Sequence, residues 1–122
     1  MTRANTYDQI ETMAINMRQV IDGLPHVPSL ILALLVDAFP MAMRYDHIAR
    51  HLFEMTSYRP SNLAINSSVK HLRIAIRTDK AALQVLRVKT FHSAGYGLEV
   101  LVETGGKPLN EVIAGLISTG IG

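Results

Sequence analysis

The chain has 122 residues, 48% of them hydrophobic and 18% charged, with a formal net charge of +2. That is enough apolar material to bury a core in one modest domain, and too much for a disordered chain. The absence of cysteine excludes disulfides and thiolate metal sites, and the longest apolar run, Leu30 to Val36, is too short for a membrane span of roughly 20 residues.

Residues 7–24 show helical spacing: Tyr7, Ile10, Met13, Ala14, Met17, Val20, Ile21 and Leu24 recur three or four positions apart. Asn5 or Thr6 can cap this segment, and Gly23 with Pro25 ends it. One helix cannot bury such a stripe alone, so it must lie on the main domain or on a second copy of the chain. Met13 and Met17 belong to that packing. Pro28 suits a first-turn position and opens Ser29 to Phe39, apolar nearly all round, as expected of a central buried helix stopped by Pro40. A second helix is expected over Tyr45–Phe53, with Ile48, Ala49, Leu52 and Phe53 inside and Arg44, Arg50 and His51 outside. Thr56 to Asn62 then reads as a loop.

The third helix is expected over Leu63–Thr78. Ile65, Val69, Leu72 and Ile76 form its apolar stripe, Asn66, Lys70, Arg73 and Arg77 an adjacent polar flank, and Ser67 and His71 face away from the core. Asp79-Lys80 breaks the pattern. Leu86, Val88 and Thr90 alternate with Arg87, Lys89 and Phe91; on the return, Tyr96, Leu98, Val100 and Val102 alternate with Gly97, Glu99, Leu101 and Glu103. These are two strands of a hairpin with His92-Ser93-Ala94-Gly95-Tyr96 at its tip, freed by Gly95. After Gly105-Gly106, Leu109, Val112, Ile113, Leu116 and Ile117 indicate a short final helix that frays at Gly120-Ile121-Gly122. There is no internal repeat.

Charge is segregated along the chain: residues 1–43 sum to −2, residues 44–92 to +6 and residues 93–122 to −2, with four of the five histidines in the cationic middle. A bias of this kind marks a surface for a polyanion, with ordinary surface charge for solubility as the competing explanation. Lys70, Arg73 and Arg77 are the candidates for phosphate neutralisation, which confers salt-sensitive affinity without sequence information; a solvated face, with Arg73 supporting the fold, is the alternative. Ser67, Ser68 and His71 are short or planar groups that can approach base edges in a major groove, or else ordinary exposed helix positions. His92 at the hairpin tip can enter a minor groove or be an unremarked turn residue.

His47 and His51 have the i, i+4 spacing that can place two imidazoles on one metal. The segment lacks the Glu that a metalloprotease pattern needs, and Arg50 opposes a cation. No Gly-rich phosphate loop, nucleophile elbow or paired-carboxylate motif is present. Asp46, Glu54 and Asp79 read as helix-end or surface charges. No enzyme activity and no cofactor or metal is expected. Asp8 and Glu11 interrupt any secretory apolar core, so a cytoplasmic location is expected.

Three helices followed by a hairpin is the order of a winged helix-turn-helix. The stretch from Ile48 to Tyr96 also resembles the DNA-binding effector domain of OmpR/PhoB-type response regulators. Ile48-Ala49-Arg50-His51-Leu52-Phe53 is similar to that family's second helix, which normally ends in Trp where Phe53 stands. Val69-Lys70-His71-Leu72-Arg73-Ile74-Ala75-Ile76 resembles its recognition-helix signature, apolar–Arg–Arg–Leu–Arg–Lys–x–Leu. Val88-Lys89-Thr90-Phe91-His92-Ser93-Ala94-Gly95-Tyr96 resembles its wing. The departures are a helix expected in place of an N-terminal sheet, a receiver domain not expected in the short segment before it, His71 and His92 where the family has Arg, Arg44 at a usual Ser/Thr cap, and Asn66 for an acidic residue.

The expected fold is therefore α+β and mostly helical. A winged helix-turn-helix of three core helices and a C-terminal hairpin wing (27–103) sits between an N-terminal helix (1–26) and a tail with a short helix (104–122). The expected function is sequence-selective binding of double-stranded DNA in bacterial or phage transcription. The resemblance implies that Ser67, Ser68, Lys70, His71, Arg73 and Arg77 lie in or beside the major groove, and that Lys89, Thr90 and His92 touch adjacent backbone or minor groove. The terminal helices would then form a homodimer. The competing expectation is an adaptor that keeps the scaffold but binds RNA polymerase or another regulator.

Overall fold

The computed structural model describes residues 6–92 and 94–118. Among these, six helices precede and follow one antiparallel hairpin, an α+β architecture that is mostly helical. Asn5, Ser93 and the expected fraying at Gly120-Ile121-Gly122 lie outside the described residues.

Helix α1 (Tyr7–Val20) starts in a capping box: Thr6 Oγ1 accepts from the Gln9 amide at 3.2 Å while Gln9 Oε1 accepts from the Thr6 amide at 2.7 Å. It ends four residues before Leu24, yet Ile21 and Leu24 remain buried beyond its end. Helix α2 (His26–Ala38) is buried at every position from Pro28 to Val36, because α1, α3, α4, the hairpin and α6 all pack on it. Its only buried polar side chain, Ser29, donates to the His26 carbonyl oxygen at 2.5 Å and accepts from Arg18 Nη1 at 2.7 Å, which ties α1 to α2.

Helix α3 (Tyr45–Thr56) runs three residues beyond the expected Phe53. It stops where Ser57 takes a left-handed conformation with φ of 63°. Phe53, assigned to its inner face, is 46% exposed. His51, placed outside, is instead half-buried, and its Nδ1 lies 2.7 Å from the Tyr7 hydroxyl of α1. Helix α4 (Asn62–Thr78) is capped by Ser61, whose hydroxyl accepts from the Ala64 amide, and buries Ile65, Val69, Leu72, Ala75 and Ile76. An element the periodicity did not reveal follows directly: α5 (Lys80–Val85), started by Asp79 Oδ1 accepting from the Ala82 amide at 3.0 Å. Six residues are too few for an apolar period to register.

Strands β1 (Leu86–Phe91) and β2 (Gly95–Val100) pair from Leu86 opposite Val100 to Phe91 opposite Gly95. The second strand is thus shorter than the Tyr96–Glu103 alternation suggested. A further backbone contact joins Met43, between α2 and α3, to Tyr96 of β2: their amides and carbonyls exchange bonds of 2.7 and 3.0 Å. Helix α6 (Leu109–Ser118) buries Ile113 and Ile117 against α1, α2 and α5. The apolar stripes of both terminal helices thus belong to the same cluster of buried residues as α2 and α4. No described helix is long and apolar enough to cross a membrane.

Candidate nucleic-acid interface

Helix α4 and the hairpin meet through one polar network. Tyr45 and Tyr96 both donate to Asn66 Oδ1, at 2.8 and 2.6 Å, and their hydroxyls lie 3.3 Å apart. The two rings stack edge-on with centroids 5.4 Å apart. Arg73, two turns along α4 from Asn66, donates from Nε and Nη2 to the Val88 carbonyl oxygen and from Nη2 to Thr90 Oγ1. Its guanidinium carbon also sits 5.5 Å from the Tyr96 ring centroid, a cation–π distance. Burial, with the Tyr45 hydroxyl as a further cause, pushes the Tyr96 phenol up to about 12. The network fixes α3, α4, β1 and β2 as one face, and no buried side-chain polar atom among the described residues is left without a partner.

Two glycines permit this closeness. A Cβ on Gly95, whose φ is +111°, would stand 2.0 Å from the Met43 carbonyl oxygen. One on Gly97 would stand 2.8 Å from the Phe91 ring and 3.3 Å from the Ala42 Cα. The role expected of Gly95, freeing the hairpin tip, is therefore secondary to letting the 42–44 backbone lie against β2.

The sequence candidates fall into three groups. Lys70, Arg77, Ser67 and His71 are exposed on α4, with Ser68 half-buried beside them. Lys89, Thr90 and His92 are exposed on the hairpin. Lys89 and Thr90 occupy opposite faces of β1 because side chains alternate along a strand, so only Thr90 turns toward α4. Arg73 stands apart, half-buried and bonded to the hairpin. The supporting role weighed for it is the one its contacts display. Lys70 and Arg77, its neighbours on the same flank, make no ion pair among the described residues, where the one salt bridge joins Arg44 to Asp46 at 3.4 Å.

Sequence reasoning missed the two tyrosines, Asn66 as their shared acceptor, and Arg87, which folds back to donate to the Leu83 and Leu86 carbonyl oxygens. The tyrosine and asparagine partners stand as much as 51 residues apart, so no local period signals them, whereas the bonds of Arg87 are local to the α5–β1 junction. The His47/His51 pair gathers no third ligand: no group of three or more His, Cys, Asp or Glu able to hold a metal exists among the described residues. The chain matches no family model, no curated protein and no solved structure.

Proposed function

We propose that the chain is a winged helix-turn-helix protein of the OmpR/PhoB-like type that binds double-stranded DNA and acts in transcription. Helix α4 would occupy the major groove, with Ser67, Ser68 and His71 near base edges and Lys70 and Arg77 on phosphates. Thr90 and His92 of the hairpin would reach the neighbouring backbone or minor groove, with Lys89 on the far side of the strand. The observation that carries this reading is the anchoring of α4 to β1 through Arg73. It holds a cationic helix flank and the β1 strand in fixed relation, as two-point contact with a duplex requires.

Fluorescence anisotropy with duplex DNA across about 50 to 200 mM salt tests it. Replacing Lys70 and Arg77 by Ala should each flatten the log–log salt slope by about 1. An unchanged slope in the double variant would overturn the assignment. Selection from random duplexes would then define the preferred sequence.

A second reading, an adaptor for RNA polymerase or another regulator, draws on the apolar side chains around the α3–α4 connection. Tyr58 is 67% and Leu63 80% exposed there, an unusual way to begin a helix that reads bases. A pull-down partner together with no DNA binding at low salt would favour it. Self-association through the terminal helices would have to use their outer faces, where α1 carries Ile15 at 45% exposure, since their main stripes are buried within the chain.

A further inference from the structure

We propose that the cleft between the C-terminal half of α4, helix α5 and the start of β1 binds a small organic anion, a phosphate or carboxylate carried on a compact apolar body. Arg73, Ile76 and Arg77 of α4, Leu83 of α5, and Arg87 and Val88 of β1 line a volume of about 270 Å³. That is about nine times the ~30 Å³ share of a water molecule in the liquid, and it lies just below the ~300 Å³ at which ligand pockets begin. The occupant is therefore small.

Three of the six lining residues are arginines, and none forms an ion pair among the described residues. Two are already held in place by neutral oxygens. Arg73 bonds the Val88 carbonyl and Thr90 hydroxyl, and Arg87 bonds the Leu83 and Leu86 carbonyls. Their positive charge is thus fixed in space with no carboxylate at ion-pair distance among the described residues, which lowers the ordering cost of receiving an anion. The guanidinium of Arg77 makes no hydrogen bond among the described residues and is free to close bidentately on a carboxylate or phosphate.

The nearby acids form no ion pair with these arginines among the described residues. Asp79 caps α5 through its Oδ1, and Glu99, opposite Arg87 in the hairpin register, makes no ion pair with it. The floor is apolar: Ile76 and Val88 are buried, and Leu83 is half-buried. An inorganic ion would leave that floor wet, whereas a short hydrocarbon or aromatic body covers it.

Isothermal titration of the full chain, without DNA, tests the site with phenyl phosphate, hexanoate, inorganic phosphate and phenol. Because no nucleic acid is present, the result is independent of whether the chain binds DNA. The tighter of the two organic anions should bind at least tenfold better than inorganic phosphate or phenol, and which one wins identifies the acid group. Arg77→Gln should weaken that binding at least tenfold and Arg77→Lys less, while Arg59→Gln, outside the cleft, should leave it unchanged. Arg77 is exposed, so its replacement does not threaten folding; amide shifts at Ile76 and Val88 on titration would locate the ligand. Equal binding of inorganic phosphate and phenyl phosphate, absence of organic-anion binding, or indifference to Arg77→Gln would each overturn the proposal.

Discussion

Arg73 of α4 grips Val88 of β1 by its backbone: Nε and Nη2 stand 3.2 and 3.0 Å from the same carbonyl oxygen, and Nη2 continues to Thr90 Oγ1 at 2.8 Å. This side chain ties α4 to β1 as the Asn66–Tyr96 bond ties α4 to β2, and its planar fork is suited to this because two donors converge on one acceptor.

Truncating this grip has a defined cost. Arg73→Ala should destabilise the fold by roughly 1.5–3 kcal/mol, the range for hydrogen bonds from a charged group. Arg73→Lys should recover less than half, since one ammonium cannot reproduce the fork. Urea unfolding midpoints measure both. A loss below about 0.5 kcal/mol, the level of an ordinary surface change, would show that the network holds without Arg73.

The raised Tyr96 phenol gives a signature at alkaline pH. Its folded value near 12 exceeds the ordinary 10.0, so the folded chain holds the phenolic proton more tightly than the unfolded chain. The associated stability is complete below pH 10 and is lost as pH climbs toward 12. An ultraviolet titration should show one tyrosine ionising last, and Tyr96→Phe should abolish that step. A Tyr96→Phe profile that declines as steeply as the parent would contradict this.

At acid pH the sensitive group is His51. Burial, aided by Arg50 and His47 and opposed by Asp37 and Glu54, holds its imidazole below the ordinary 6.5. A depressed histidine holds its proton less tightly in the folded than in the unfolded chain, so its contribution is present above pH 6.5 and is lost as pH falls through the folded value. The contact with Tyr7 can survive protonation by reversing donor and acceptor; the penalty comes from charging a half-buried ring. Thermal melts between pH 7.5 and 4.5 should show a decline that His51→Gln makes shallower.

The glycines of β2 should rank by what surrounds them. Gly95→Ala meets both a positive φ and a backbone oxygen at 2.0 Å, so the 42–44 segment must separate from the strand, and a loss above about 3 kcal/mol is expected. Gly97→Ala meets chiefly the Phe91 ring, which can turn aside, and should cost roughly 1–3 kcal/mol. Gly23→Ala, with φ of +77° and open space around it, should cost least, about 1 kcal/mol. Equal losses at all three sites would contradict this order.

Elements with a sustained period were legible in the sequence. The α1 and α4 stripes, the all-apolar α2 and the alternation of β1 each repeat over enough residues to dominate local noise. What escaped was short or non-local. Helix α5 is six residues long, the Met43–Tyr96 bridge is a single pair, and the tyrosine–asparagine network depends on the tertiary meeting of three elements. The candidate site was read with similar unevenness. Side-chain spacing placed Asn66, Lys70 and Arg77 together on an exposed flank of α4, but spacing carries no information about what faces it. Lys70 and Arg77 are unpaired by side chains of the described residues, whereas Arg73, on the same flank, is bonded to the hairpin.

Helix α2, enclosed on every side, also sets a clock for the whole molecule. The amide hydrogens of its buried stretch, Leu30 to Val36, should reach solvent only when the entire domain comes apart, so their deuterium uptake reports the global unfolding free energy. Amides of β1 and β2 that exchange faster than those of Leu32 or Leu35 would measure how readily the hairpin lifts away while the helical scaffold stays intact.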